Sequence, residues 1–257
     1  MNQIDLSIIL PSYMEAKNIG SSLDQLSEWL RTHDYGHVEV IVVVADSPDG
    51  TAAIAESKAG QFDSLIVTHA GPRAGKGRDV RLGMFEATGR YRMFMDADLA
   101  TPLSHLDDVK ALMDHGGKVG IAVRDLVKIH KGLIRKTITG FGNLLAQIIL
   151  LPGLKDTQCG FKVFEAEAAE AVFSRLTILG WGFDLEILAV ARKLGYHIET
   201  FEAPDWKDPK AEGAGLVGDS PLKASIQVFR DLLTVRWNLI RGLYRQPSYH
   251  HTPGAID

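Results

Sequence analysis

Short runs of β-branched and aliphatic residues alternate with stretches of helical periodicity through the first half of this chain, and that alternation limits the fold most. Residues 6–10 (LSIIL) read as a strand that Pro11 ends, and 18–30 carry apolar residues at 19, 23, 26 and 30, the spacing of one helix face. Residues 38–44 are nearly all Val and Ile, as in a parallel strand covered on both sides. Helices are expected at 51–58, 77–87 and 106–113, and strands at 65–67, 91–95 and 119–123. Strand–helix–strand repetition of this kind builds a Rossmann-like α/β sheet with helices on both faces. It also puts the polar turns at strand C-termini, where ligands bind in open sheets. Beyond residue 125 the pattern loosens. A strand is expected at 161–164, helices at 165–175 and 183–194, a strand at 198–203, a loop at 206–221 and a last amphipathic helix at 221–241. With 257 residues, no internal repeat and no linker, a single domain over 1–245 with a polar tail at 246–257 is the expected organisation.

The composition removes several functions. A formal net charge of −4 disfavours nonspecific nucleic-acid binding, and one cysteine excludes an intramolecular disulfide and an all-cysteine zinc site. The nine histidines form no HExxH. The start, MNQIDLSIILPS, lacks a basic n-region, and no segment offers the roughly 18 apolar residues of a membrane span. The expectation is a cytoplasmic protein whose membrane contact, if any, is peripheral and on the cytoplasmic face.

The strand ends carry the chemistry. Asp96-Ala97-Asp98 sets two carboxylates around a small residue after an apolar strand; such oxygens suit Mg²⁺ or Mn²⁺, or simply bond their own turn. Gly71 to Arg78 (GPRAGKGR) is not a P-loop, but its glycines would let backbone approach an anion that Lys76 and the arginines neutralise; a solvated basic turn is the plain alternative. Asp46 and Glu15 follow the second and first strands, each suited either to a base or ribose hydroxyl or to a turn. In Asp156-Thr157-Gln158-Cys159-Gly160-Phe161-Lys162, Gln158 suits a sugar hydroxyl and Cys159 a small buried position. Asp184 and Glu186, two apart at a helix start, do not share a face, so one is expected toward a cleft while the other caps or is solvated. Arg124, Lys128, Lys131, Arg135 and Lys136 precede an apolar stretch ending LLAQIILLPG, a pairing that suits an anionic headgroup and its tail, or a core helix with a charged entrance.

Together, LPSYMEAKNI, VVVADSPDGT, AGKGRDVRLGM, MDADLATP, DTQCGFKVF, WGFDLEIL and SPLKASIQVFRDLL resemble the family 2 inverting glycosyltransferases, in the branch of dolichyl-phosphate glucosyltransferase and dolichyl-phosphate mannose synthase. The resemblance runs from residue 6 to about 240. It implies a GT-A fold, with a nucleotide-sugar part over about 1–125 and an acceptor part over about 126–245. It places Pro11, Tyr13 and Glu15 around the nucleotide, Asp46 at its base or ribose, and Lys76 at the diphosphate. Asp96 and Asp98 become a DxD pair holding Mg²⁺ or Mn²⁺. Arg124 and Arg135 resemble arginines that meet phosphate, Gln158 lies near the sugar, and Asp184 in the acceptor region. The implied reaction moves a hexose from a nucleotide sugar to a polyprenyl phosphate. A sugar hydroxyl or soluble metabolite is the alternative acceptor, with Asp184 then the general base. Oligomeric state is left open, a homo-oligomer included. Two departures stand out: Val44-Ala45-Asp46-Ser47 replaces the family's Asp-Asp-Gly-Ser turn, and the loop 213–220 lacks the family's basic residue.

Overall fold

In a computed structural model of the chain, residues 3–125, 147–207 and 221–248 are described, the side chains of 221–226 excepted. Arg135, most of the basic and apolar stretch after Arg124, the loop 213–220 and the tail from 249 lie outside the described residues.

The strands are β1 (Leu6–Ser12), β2 (Val38–Ala45), β3 (Leu65–Gly71), β4 (Tyr91–Met95), β5 (Val119–Arg124), β6 (Phe161–Glu165) and β7 (Ile198–Ala203). The helices are α1 (Ile19–Thr32), α2 (Thr51–Ser57), α3 (Lys76–Glu86), α4 (Leu106–His115), α5 (Ala166–Phe173), α6 (Phe183–Lys193) and α7 (Pro221–Arg241). All seven strands join one sheet in the order β3-β2-β1-β4-β6-β5-β7. Neighbouring pairs are parallel except where β6 enters, antiparallel to both β4 and β5.

Strand alternation divides the core. Leu6, Ile8, Leu10, Val40 and Val42 turn to one face with Leu23 and Leu26 of α1 and Val109 of α4. Ile9, Ile41, Val43 and Phe94 turn to the other with Val80 and Met84 of α3, Phe173 of α5 and Phe183 of α6. Helices therefore cover both faces, as the near-continuous Val and Ile of β2 require. Each fully buried aromatic or aliphatic side chain here contributes about 1.5–3 kcal/mol. The far end of the sheet is tied by Glu39, which is buried and accepts from Ser7 Oγ (2.6 Å) and from the Thr88 amide (2.6 Å) and hydroxyl (3.0 Å). The C-terminal ends of β1, β2, β3 and β4 are left to gather the polar turns.

Candidate active site

The site is assembled where three loops meet. After β1, residues 14–16 are pinned by the turn after β2: the amides of Met14, Glu15 and Ala16 donate to Ser47 Oγ (2.9 Å), Thr51 Oγ1 (3.0 Å) and Asp49 Oδ2 (3.0 Å). Asp49 also accepts from the Ser47 and Thr51 hydroxyls, both at 2.6 Å, and from the Thr51 amide at 3.1 Å. Burial works against its charge, but these donors outweigh burial and bring the carboxyl down to about 2. Met14 is thereby held at φ 59, backbone that non-glycine residues rarely adopt. Asp49, with Ser47 and Thr51, thus fastens the first loop. Asp46 stays exposed and, with Val44, Ala45, Ser47, Pro48, Ala52 and His69, lines a groove of about 430 Å³ at the ends of β2 and β3. Pro11 does not end β1 as expected but lies within it, pairing with Val43 one residue before Ser12 pairs with Val44, and Tyr13 lies under the Arg73 guanidinium at 4.4 Å.

At the end of β4, Lys76 Nζ donates to Asp96 Oδ1. Burial opposes the Lys76 charge, but Asp96 and Asp184 outweigh it and raise its pKa. Asp98 is pushed above the usual carboxylate range by burial and by Asp96, and Glu15 by burial with Asp98 and Asp96 adding. The three carboxylates and the Lys76 ammonium therefore feel one another's charge. Leu99, at φ 52, turns the chain sharply after the second aspartate.

The basic turn before α3 is used differently from expectation. Gly75 and Gly77 approach protein backbone and side chain, not open space: a Cβ on Gly75 would stand 2.3 Å from Leu179 O, and one on Gly77 2.6 Å from Phe183 Cβ. The Gly77 amide donates to Leu179 O at 2.9 Å. Arg78 turns back to Ala70 O and Asp79, and Arg73 to Tyr13. Of the basic residues in this turn, Lys76 is the one that reaches the DxD carboxylates.

The second half of the chain enters through β6. Gly160 lies against Asp96, whose amide donates to Gly160 O at 3.1 Å. Lys162, wholly buried beneath the Phe94 ring, donates to Asp184 Oδ1 at 2.5 Å and to Cys159 O. Asp184 is buried too; desolvation holds its pKa up, against the pull of Lys162 and Lys76. Of the two acids at the start of α6, one expected toward a cleft and the other capping or solvated, both are buried and neither is solvated. Glu186 is sealed in the core, accepting from Thr177 (amide 3.0 Å, hydroxyl 2.5 Å), the Ile178 amide (2.7 Å) and Tyr244 Oη (2.7 Å). It fixes the loop that α3 packs on. Arg124 forms a bidentate pair with buried Asp156 (2.6 and 2.9 Å) and lies 5.0 Å over Trp206. Burial opposes the Arg124 charge, yet Asp156 raises its pKa, while Arg124 overcomes burial to lower that of Asp156. The Gln158 backbone N–H donates to the same carboxylate at 3.1 Å. Cys159 is buried, and burial pushes its thiol up to about 11, so it is no nucleophile.

Sequence reasoning missed Ser47, Asp49 and Thr51 as a clamp, and Gly160, Lys162 and Asp156 as supports. A lone lysine in the apolar strand FKVF was the signal for a buried ion pair. Gly160 gave none.

The donor chemistry fits a divalent cation. Asp96 and Asp98 are hard oxygen ligands two residues apart, and their mutual repulsion in a half-buried site is relieved by added positive charge. Among the described residues no group of three or more His, Cys, Asp or Glu could hold an ion unaided.

A family model described as Glycosyl transferase family 2 matches residues 7–173. The chain belongs to glycosyl transferase family 2. It is a glycosyltransferase, and the same conclusion follows from its relatives. Dolichyl-phosphate beta-glucosyltransferase of Dictyostelium discoideum is 30% identical over 264 residues, covering 96% of this chain and 79% of the relative. The Mus musculus protein of that name is 32% identical over 256 residues, 93% of this chain and 77% of its own. Among solved structures, glucosyl-3-phosphoglycerate synthase from Mycobacterium tuberculosis in complex with UDP superposes with a TM-score of 0.64 at 22% identity, over 91% of this chain and 80% of that one. Mannosyl-3-phosphoglycerate synthase from Rubrobacter xylanophilus gives 0.63 at 18% identity, over 98% and 78%. The glycosyltransferase has the GT-A fold that its sequence resemblance implied.

Proposed function

We propose that this glycosyltransferase moves glucose, with inversion, from UDP-glucose to a polyprenyl phosphate at the cytoplasmic face of a membrane. The observation that carries the acceptor is the relationship, near 30% identity over more than nine-tenths of the chain, to proteins named dolichyl-phosphate beta-glucosyltransferase. In this reading residues up to about 125 take the donor and those beyond take the acceptor. The groove at Asp46 receives the base, Pro11, Tyr13 and Glu15 flank the nucleotide, Lys76 meets the diphosphate, and Arg124 and Arg135 meet phosphate groups. Gln158 lies beside the sugar.

Asp96 and Asp98 would hold Mg²⁺ or Mn²⁺, which would supply Lewis-acid neutralisation of the departing diphosphate. The chain's own part is electrostatic. Lys76, already fixed on Asp96, is preorganised to stabilise negative charge on the leaving UDP without moving. A phosphate oxygen of the acceptor attacks C1 of glucose from the face opposite UDP; the C1–O bond to the β-phosphate breaks, and its electron pair leaves with UDP. A phosphate monoester is ionised at neutral pH and requires no general base. That agrees with Asp184, whose carboxylate is buried against Lys162 and is better suited to positioning that lysine than to taking a proton from a sugar hydroxyl.

The test is a turnover screen of UDP-glucose and GDP-mannose against polyprenyl phosphate and against simple sugars, with Mn²⁺, Mg²⁺ or chelator. Transfer from UDP-glucose to polyprenyl phosphate, lost on chelation and lost in Asp98→Ala, is expected. Wild-type turnover in Asp98→Ala would refute the DxD assignment, and preference for a sugar hydroxyl would refute the acceptor.

A further inference from the structure

Helix α7 carries an outer face that the fold does not use. Its inner side is buried through Leu232 and Val235, and its one carboxylate beyond residue 226, Asp231, turns inward as well. Phe229 (44% exposed), Leu233 (47%), Trp237 (58%) and Ile240 (64%) instead point outward. Spaced by four, four and three residues, they fall within an arc of about 80° and extend about 17 Å along the helix. Leu243, half exposed, continues the row past the helix end. Arg236 borders the arc on one side, Arg230 and Arg241 on the other, and all three are exposed, as is Arg245. Every exposed charge from 227 to 245 is thus an arginine. No helix among the described residues is long and apolar enough to cross a membrane.

We propose that the outer face of α7 docks the protein on an anionic lipid bilayer, its apolar row entering the headgroup boundary and its arginines pairing with lipid phosphates. An apolar stripe with tryptophan, bordered by cationic side chains and free of exposed acids, has the composition of a helix lying in that interface. Charge decides between occupants. A second copy across a two-fold axis would bring arginines against arginines with no carboxylate on the same face to answer them. Anionic headgroups supply the missing countercharge. The position is suitable: on the inner side of the same helix Asp231 packs on Gly182, two residues before Asp184, so the helix that carries the docked face is seated on the start of α6. The proposal rests on the lipid-acceptor reading only for the purpose it gives the contact.

The test is flotation of the full-length protein with vesicles of phosphatidylcholine containing a minority of phosphatidylglycerol, without any polyprenyl phosphate. Wild-type protein should float with these vesicles, and less as salt is raised. The double variant Leu233→Glu/Trp237→Glu should lose more than about tenfold in partitioning. Arg230→Glu/Arg236→Glu should lose about fivefold per arginine together with most of the salt dependence. Both should keep the wild-type melting temperature, since the altered side chains face outward. Failure of wild type to float, or equal flotation of the variants, overturns the proposal. A wild-type dimer that Leu233→Glu/Trp237→Glu converts to monomer would assign the face to a second copy instead. Because the vesicles contain no acceptor, flotation without glucosyl transfer to detergent-solubilised polyprenyl phosphate would strike the acceptor reading alone.

Discussion

Replacing Gly160 by alanine would put the new Cβ 2.2 Å from Asp96 Oδ2 and 2.5 Å from its Cγ, where ordinary contact is 3.4–4 Å. The backbone of β6 has little freedom to yield, because Phe161 is paired with Met95 and Gly160 O accepts the Asp96 amide. The carboxylate must therefore retreat by about 1 Å, away from the position in which Lys76 holds it. A displacement of that size in a reacting constellation costs on the order of 10²-fold in rate. That corresponds to about 2.7 kcal/mol of barrier. The strain of one extra methyl in a filled site would add about 1–3 kcal/mol of lost stability, too little to unfold a domain of this size. Initial rates with the donor and acceptor found by the screen, a Mn²⁺ titration of activity and a thermal melt would separate the two effects. Gly60→Ala, where a Cβ meets nothing within 4 Å, is the control. Should Gly160→Ala keep kcat/KM and Mn²⁺ dependence within a small factor of wild type, Asp96 does not work from the position described.

Two further outcomes follow from buried or clamped charges. Lys162→Met strands the Asp184 carboxylate in the core and should cost about 3–5 kcal/mol of stability; adding Asp184→Leu should recover much of that but not the activity, which denaturant melts and rate measurements on the double-mutant cycle will read. Asp49→Ala releases two amides and two hydroxyls, so it should cost about 2 kcal/mol and weaken nucleotide binding. Because the Asp49 carboxyl sits near 2, below its ordinary value, its stabilisation is fully present above about pH 4 and fades as pH falls toward 2. An acid melt in which wild type and Asp49→Ala converge over that window checks the sign.

The sheet was legible because β-branched runs and helical spacing are local signals. Helices expected at 18–30, 77–87 and 183–194 appear as Ile19–Thr32, Lys76–Glu86 and Phe183–Lys193. The antiparallel entry of β6 between β4 and β5 was not legible, since nothing within Phe161–Glu165 specifies its neighbours or its direction. The carboxylates at the end of β4 and their lysine could be found from type and position. The uses of the glycines and the acids could not. Gly75 and Gly77 suggest room for an anion until Leu179 and Phe183 are seen to occupy it. Asp184 and Glu186 suggest one acid toward a cleft and one capping or solvated until Lys162 and the Thr177–Ile178 turn are seen to bury both.

The site depends on β6 more than on any motif considered alone. A slip of one residue in an antiparallel pair exchanges the two faces of a strand. Here Phe161 and Val163 point to the face shared with α1 and α4, while Lys162 and Phe164 point to the face shared with α3 and α6. Gly160, one step before the strand, leaves room for Asp96, and Asp156, four residues earlier, neutralises Arg124. A slipped β6 would drive Phe161 toward Asp184 and leave that carboxylate unpaired in the core. Lys162 would at the same time be carried into the opposite apolar layer. Each burial is costly alone, so the ion pair opposes the wrong register as well as stabilising the right one. It thereby keeps the second half of the chain aligned with the carboxylates of the first.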